Sequence, residues 1–191
     1  ITAPGGNINL FAHNSIQLAG SLDASTPQDT GGKIQLITDT LSSTPNSSIY
    51  ADGQQGGHIK IIGNQSVSLS TSLSAVGTLK GGFVELTGNS IALQNASIDA
   101  SGNLQGGAIH IGGGWQGNGT LPHAHEVSVG KSSEIKANGG NIQQANGGEI
   151  VIWSTQLSEH AGLIQAKDGG RIELSSKGRF SQSGEIQAGK N

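Results

Sequence analysis

Residues 56–100 read GGHIKIIGNQSVSLSTSLSAVGTLK followed by GGFVELTGNSIALQNASIDA, two units that each open on a pair of glycines. After the glycine pair, hydrophobic residues alternate with mostly polar ones, as at Ile59 and Ile61 in the first unit. This two-residue period predicts a strand with one buried and one exposed face. The third apolar pair of each unit ends in alanine, at Ala75 and Ala100. The stretch therefore predicts short strands that recur in a fixed register.

The same unit recurs along the whole chain. Glycine pairs begin at positions 5, 31, 56, 81, 106, 147 and 169, which defines seven units. The connections are too short for a crossover helix, so strands of successive units can only stack in parallel. We predict an all-β fold, a right-handed parallel β-helix (solenoid) of about seven coils with three short strands each. At a strand spacing of about 4.8 Å, such a rod is about 34 Å long.

Inward-facing residues of these strands are expected to form continuous Ile, Leu, Val and Ala columns. The apolar pair of the second strand is reduced to Leu157 and Phe180 in the last two units. We expect the glycine pairs and the Gly63-Asn64 and Gly88-Asn89 steps to supply the positive φ that tight corners need.

Composition and charge argue against several classes of protein. The 32 glycines, 3% aromatic residues and 12% charged residues are unlike a compact globular core. A net charge of −3 without a basic cluster argues against nucleic-acid binding, and no apolar run predicts membrane insertion. Because the chain opens at Ile1 without a signal peptide, we expect residues 1–191 to be one β-helix segment of a longer protein.

Unit five is longer than the others, and we expect residues at about 112–126 to form a lateral insertion that leaves the coil intact. Trp115, Gln116, His123 and His125 are its possible ligand contacts, because an aromatic ring can stack on a sugar and imidazole can bind zinc or copper. Two histidines do not complete a metal site, so we predict no metal and no cofactor. For Trp115 we favour a purely structural position, folded back over the coil.

Other candidate residues receive structural interpretations. His58 and His110 occupy outward positions and are expected to be surface histidines, whereas Trp153 follows an inward residue and is expected at the edge of the coil. Acidic residues are spread singly: Asp23 and Asp99 share an outward position with two coils between them. Carboxylates that far apart exceed the roughly 5 to 9.5 Å of glycosidase pairs, so we predict no enzymatic activity.

Three stretches carry a family resemblance. Residues 112–117 (GGGWQG), 127–131 (VSVGK) and 146–154 (NGGEIVIWS) resemble the filamentous-haemagglutinin-like adhesins exported by two-partner secretion, most specifically from unit five onward. The resemblance implies a secreted or surface-anchored β-helical stalk and an outer-membrane pore partner that exports the parent chain. The Asn-Pro-Asn motifs of that family's secretion domain are missing from the sequence, which favours a stalk over a secretion signal.

Three functions follow as hypotheses. The leading one is a structural stalk segment of a secreted or cell-surface bacterial adhesin, which displays binding determinants and mediates attachment and biofilm formation. The alternative is a carbohydrate-binding β-helix module that uses the 112–126 insertion to bind a host-surface or matrix carbohydrate. The third is a polysaccharide-active β-helix enzyme. A glycan array separates the first two hypotheses, and a turnover assay on acidic polysaccharides tests the third.

Overall fold

A computed structural model describes residues 1–140 and 145–189. These residues form the predicted all-β solenoid, in which parallel strands of successive units stack into about seven coils. Their only helical element is a short 3₁₀ turn, Trp115–Gly117. No helix in the described part of the chain is long and apolar enough to cross a membrane.

Two sheets enclose the core of the solenoid. The front sheet has ten strands: β1 (Asn7–Phe11), β2 (Ser15–Leu18), β4 (Lys33–Ser43), β7 (His58–Leu69), β10 (Phe83–Leu93), β12 (Ala108–Ile111), β13 (Ala124–Val129), β15 (Glu149–His160), β17 (Arg171–Ser176) and β18 (Arg179–Gln182). The back sheet has seven strands: β3 (Ser21–Asp23), β5 (Ser48–Tyr50), β8 (Ser72–Ser74), β11 (Ser97–Asp99), β14 (Glu134–Lys136), β16 (Leu163–Lys167) and β19 (Glu185–Gly189). A short ladder at one corner pairs β6 (Gly53–Gln55) with β9 (Gly77–Lys80).

The first two strands of a unit run together in most coils. In β4, β7, β10 and β15 one long strand covers both, and a shift of register interrupts the pairing, as between Gly88 and Ser90 where β10 pairs with β7. A bulge of this kind bends a strand and increases its local twist. One continuous strand can therefore form two adjoining faces of the coil.

The core consists of columns of identical or similar apolar residues. Each column runs along the rod because the pairing register places equivalent residues of successive coils side by side. Burial of each large aliphatic side chain contributes about 1.5–3 kcal/mol. In the first six coils the back-sheet column is at most 3% exposed and comprises Leu22, Ile49, Leu73, Ile98, Ile135 and Ile164. Ile186 continues the column in the seventh coil and is 42% exposed.

The inner glycine pairs are required by close approach and not by backbone conformation. A Cβ on Gly57 would lie 2.1 Å from the carbonyl oxygen of Gly32, and a Cβ on Gly63 would lie 2.4 Å from that of Ser66. Neither Gly63 nor Gly88 has a positive φ, so the expectation of positive φ at these steps is wrong. Glycine is needed there because neighbouring backbone segments touch at the corner.

The second strand of the sixth coil departs from the predicted pattern. Leu157 pairs with the exposed Glu126 and faces outward, whereas Ser158 and His160 take the inward positions and are 1% and 3% exposed. The prediction of Leu157 as the inward residue is wrong. Relative to its partner β13, β15 carries one extra residue after Ser154, and this residue reverses which of the following side chains point inward.

Candidate functional site

Residues 113–123 leave the front sheet after Gly112, and the chain returns to the sheet at Ala124. The backbone amide of Ala124 donates a hydrogen bond of 2.9 Å to the carbonyl oxygen of Gly112, which closes the base of this segment. Ala124 already pairs with Ser154 of the next coil, so the strand resumes directly where it stopped. We call residues 113–123 the insertion.

The insertion lies flat on Trp153, an outward residue of β15. A Cβ on Gly113 would lie 3.1 Å from the Cβ of Trp153, and a Cβ on Gly117 would lie 2.6 Å from its Cζ2, so glycines allow this close contact. The ring of His123 packs on the indole with centroids 4.1 Å apart. Trp153 is 4% exposed as a result. The expectation that it lies at the edge of the coil is wrong, because the insertion of the preceding coil covers it.

The tip of the insertion reaches the seventh coil. The guanidinium carbon of Arg171 lies 4.5 Å from the ring centroid of Trp115, a cation–π contact that uses one face of the indole. The amide of Gln116 donates a hydrogen bond of 2.6 Å to the carboxylate of Glu173. Trp115 is half-buried, and the insertion is thereby fixed at its tip as well as at its base.

The four residues predicted as ligand contacts occupy different settings. Trp115 and Gln116 lie at the tip, His123 lies on Trp153, and His125 is an exposed residue of β13. The Nε2 of His123 is 3.0 Å from the carbonyl oxygen of Gly117, to which it donates when protonated. Within residues 1–140 and 145–189, no group of three His, Cys, Asp or Glu side chains could hold a metal ion. The surface around the insertion offers an indole, a guanidinium and imidazoles, groups that suit the binding of a ligand.

The histidines predicted on the surface are half-buried and paired with glutamates. The Nε2 of His58 is 2.9 Å from Glu85, and the Nε2 of His110 is 2.6 Å from Glu149. Arg171 also forms an ion pair with Glu149. Glu85 pairs with His110 of the next coil, and His110 pairs with Val151 of the coil after that, in the same strand as Glu149. The two glutamates therefore lie two coils apart and do not converge on a common point.

A groove runs along the corner where the glycine pairs stack. Its volume is about 750 Å³, and its floor is formed by glycines of coils two to seven. One wall consists of the residues that directly follow the glycine pairs, including Lys33, His58 and Phe83; the other includes Gln55, Lys80 and Gln105. We call this feature the corner groove. Sequence reasoning missed it, although aligning the units on their glycine pairs places the first wall in one column.

His160 is a titratable group inside the core. Burial lowers its pKa below the usual value of 6.5, and the nearby backbone of Gly162 opposes part of this effect. The imidazole occupies the column position of Val129 in the preceding coil. It is therefore a core residue, and we assign it no part in binding.

These features define a parallel β-solenoid with an insertion docked on its front sheet and a groove along one corner. No known protein family matches the chain, and no curated protein matches it. Among solved structures, the chain is similar to the HMW1 secretion domain from Haemophilus influenzae, with a TM-score of 0.68 and 18% sequence identity. The similarity covers 97% of this chain and 63% of that domain, so the chain spans less than two thirds of its length. At this identity the likeness shows a shared fold.

Proposed function

We propose that the chain is a structural stalk segment of a secreted or cell-surface bacterial adhesin of the filamentous-haemagglutinin-like type. The observation that supports this proposal is the stack of about seven coils with continuous core columns. In such a quasi-one-dimensional array the core of each coil packs on its neighbours, so added coils extend the reach of the molecule. The fold of the HMW1 secretion domain is consistent with an exported protein. An outer-membrane pore partner exports the parent chain.

Removal of one whole coil tests this proposal. Deleting residues 56–80 joins one glycine-pair unit to the next in register, because β4 then adjoins β10 with the same alignment that each has with β7. A stalk with one coil fewer is expected to fold, to be exported and to support adhesion in the parent protein. The control deletes residues 56–69, which removes β7 but keeps β8, and is expected to destroy the register and the fold.

A second candidate function is a secretion domain, which the likeness to the HMW1 secretion domain favours. The same whole-coil deletion separates the two functions when export and folding are measured together. A protein that folds but no longer reaches the cell surface would contradict the stalk and support the secretion domain. Retained export with normal adhesion would support the stalk.

We propose the insertion and the start of β13 as a binding determinant of the stalk. Trp115, Gln116 and His123 of the insertion and His125 of β13 contact a host-surface or matrix carbohydrate. Gln116, His123 and His125 are exposed, which supports this role. A glycan array with the Trp115→Ala variant tests it. Phe11→Ala is the matched control, because Phe11 is an aromatic residue that is 64% exposed in the first coil. Equal glycan binding by both variants would remove the insertion from carbohydrate binding.

A further inference from the structure

The corner groove has a floor whose glycine amides are already paired. The amide of Gly57 donates to the carbonyl of Ala51 at 2.6 Å, and the amide of Gly56 donates to that of Lys80 at 2.8 Å. The next coil repeats both bonds, from Gly82 to Ala75 and from Gly81 to Gln105. An extended peptide that adds to a sheet needs unpaired backbone groups at an edge. These coils offer no free glycine amides, so we infer that recognition in this groove depends mainly on the side chains of its walls.

One wall carries a supported aromatic ring. Phe83 lines the groove between the rings of His58 and His110, whose centroids are each 5.1 Å from its own. Both histidines are held by carboxylates, so the ring is fixed in position before any ligand arrives. A rigid aromatic surface beside a groove suits the apolar face of a sugar ring, because it binds at little cost in conformational entropy.

The opposite wall carries polar groups that repeat along the rod. Gln55, Lys80 and Gln105 line the groove from successive coils, and bridges in the ladder align Lys80 with Gln105. A glutamine amide offers both a donor and an acceptor, which suits the hydroxyl groups of a sugar. All three side chains are exposed. Such a repeat fits a ligand that itself repeats along the rod axis.

The charge of the groove is opposite to that of the whole chain. Lys33, Lys80 and Arg171 line it against the single carboxylate of Glu149, a net charge of +2 with histidine neutral, whereas the chain carries −3. Arg171 is paired with Glu149, but neither lysine forms an ion pair with any residue that the structure describes. The cations are spread over coils two to seven, so their charge density along the groove is low.

We propose that the corner groove binds a linear, sparsely charged anionic polysaccharide, of the uronic-acid class, laid along the rod axis. Phe83 makes an apolar contact with a sugar ring, the glutamines contact hydroxyl groups, and Lys33 and Lys80 contact carboxylates. A densely sulfated chain would place more anions in the groove than it has cations to receive them. This inference does not rest on the proposed function, since the groove belongs to the coils and not to the insertion.

The test is calorimetric titration of the whole chain at low salt with hyaluronan oligosaccharides, which carry one carboxylate per disaccharide. Lys33→Gln combined with Lys80→Gln is expected to weaken binding about tenfold and to reduce its salt dependence. The control is Lys131→Gln, an exposed lysine outside the groove, with an expected change of less than about twofold. Phe83→Leu keeps an apolar side chain and is expected to weaken binding while the salt dependence stays the same. Unchanged melting temperatures show that the variants are folded.

Several outcomes would overturn the proposal. They are no binding of hyaluronan by the unmodified chain, equal losses in the groove and control variants, or binding of poly-glutamate peptide as tight as that of the polysaccharide. The last result would identify the groove as an acidic-peptide site. Weaker binding by Trp115→Ala with no effect of the lysine variants would assign the polysaccharide to the insertion. Stronger binding of longer oligosaccharides would support a ligand that spans several coils.

Discussion

Ile98 and Asp99 are neighbours in β11 that face opposite sides of the back sheet. Ile98 is 0% exposed in a core column, and Asp99 is half-exposed with its carboxylate accepting a hydrogen bond of 2.8 Å from the amide of Ser101. We predict that Ile98→Asp lowers the free energy of unfolding by about 3–5 kcal/mol, since it buries an unpaired charge. Asp99→Ala removes one turn hydrogen bond and is expected to cost less than about 1.5 kcal/mol. Similar melting temperatures for the two variants would contradict the register.

Gly57 tests the requirement for close approach at the corner. The Cβ of Gly57→Ala would meet the backbone oxygen of Gly32 at 2.1 Å, and backbone cannot move aside as a side chain can. We predict a loss of about 3 kcal/mol or more of unfolding free energy, measured by chemical denaturation. Gly20→Ala is the control, because a Cβ there has nothing within 4 Å. A well-tolerated Gly57→Ala would show that the coils are further apart than the structure places them.

His160 should make the stability of the chain depend on pH. Burial lowers the pKa of the folded state below 6.5, so as pH falls through 6.5 the unfolded chain takes up a proton that the folded chain does not. This contribution to stability is present above that pH and is lost on acidification. We predict that His160→Leu reduces the drop in melting temperature between about pH 7.5 and about pH 5.5.

The exposed His125 supplies the control for this pH dependence. His125→Gln removes an imidazole from the surface and should leave the acid sensitivity as it is in the unmodified chain. The comparison between the two variants isolates the contribution of the core imidazole to the pH dependence. The same acid sensitivity in His160→Leu as in the unmodified chain would contradict a titrating role for His160.

At the scale of the element, the insertion is expected to be separable from the coil. Deletion of residues 113–123 joins Gly112 to Ala124, whose backbone groups already lie within hydrogen-bond distance. We predict that the front sheet keeps its register, but that uncovering Trp153 costs about 1.5–3 kcal/mol. Adding Trp153→Ser, the residue type found at the paired position Ser175, should cost little more, because without the insertion the indole is exposed in the folded and the unfolded chain alike. Circular dichroism and thermal melting measure both effects, and loss of cooperative unfolding in the double variant would contradict separability.

Elements that repeat could be predicted from the sequence, and elements that depend on contact between distant segments could not. The strands at Ile59 and Val84 follow from alternation after a glycine pair, because local pattern and stacking register agree. The burial of Trp153 depends on where a non-repeating, glycine-rich segment docks, for which no period exists. Leu157 was misplaced for a related reason: one extra residue at a bulge shifts the faces without changing the apolar composition.

The two candidate sites differ in the same way. Trp115 could be singled out because an aromatic residue in a long loop is conspicuous, yet its contact with Arg171 of the seventh coil depends on tertiary packing. Walls of the corner groove arise from the repeat itself, since Lys33, His58 and Phe83 occupy one position of three successive units. Alignment of the repeat units predicts that these wall residues form a column, whereas the depth and volume of the groove depend on the three-dimensional structure.

At the scale of the whole stack, the isolated segment of residues 1–191 should open from its ends. In β7 and β10 the inward residues are at most 1% exposed and each strand has a neighbour on both sides. In the seventh coil Phe180 and Ile186 are each 42% exposed, because a coil with one neighbour buries less of its apolar surface. Stability in a one-dimensional array is a sum over coils and their interfaces, so the end coil has the smaller share.

We therefore predict a gradient of amide hydrogen exchange along the rod. Amides of residues 83–93 in the fourth coil should exchange at least about tenfold more slowly than those of residues 171–182 in the seventh, since a difference of 1.4 kcal/mol in local opening corresponds to that factor. Mass spectrometry of peptides from each coil measures the gradient. The Ile98→Asp variant provides a second readout, because it should raise exchange most in the fourth coil and its two neighbours. Uniform exchange across all coils would contradict local opening and show that the rod unfolds as one cooperative unit.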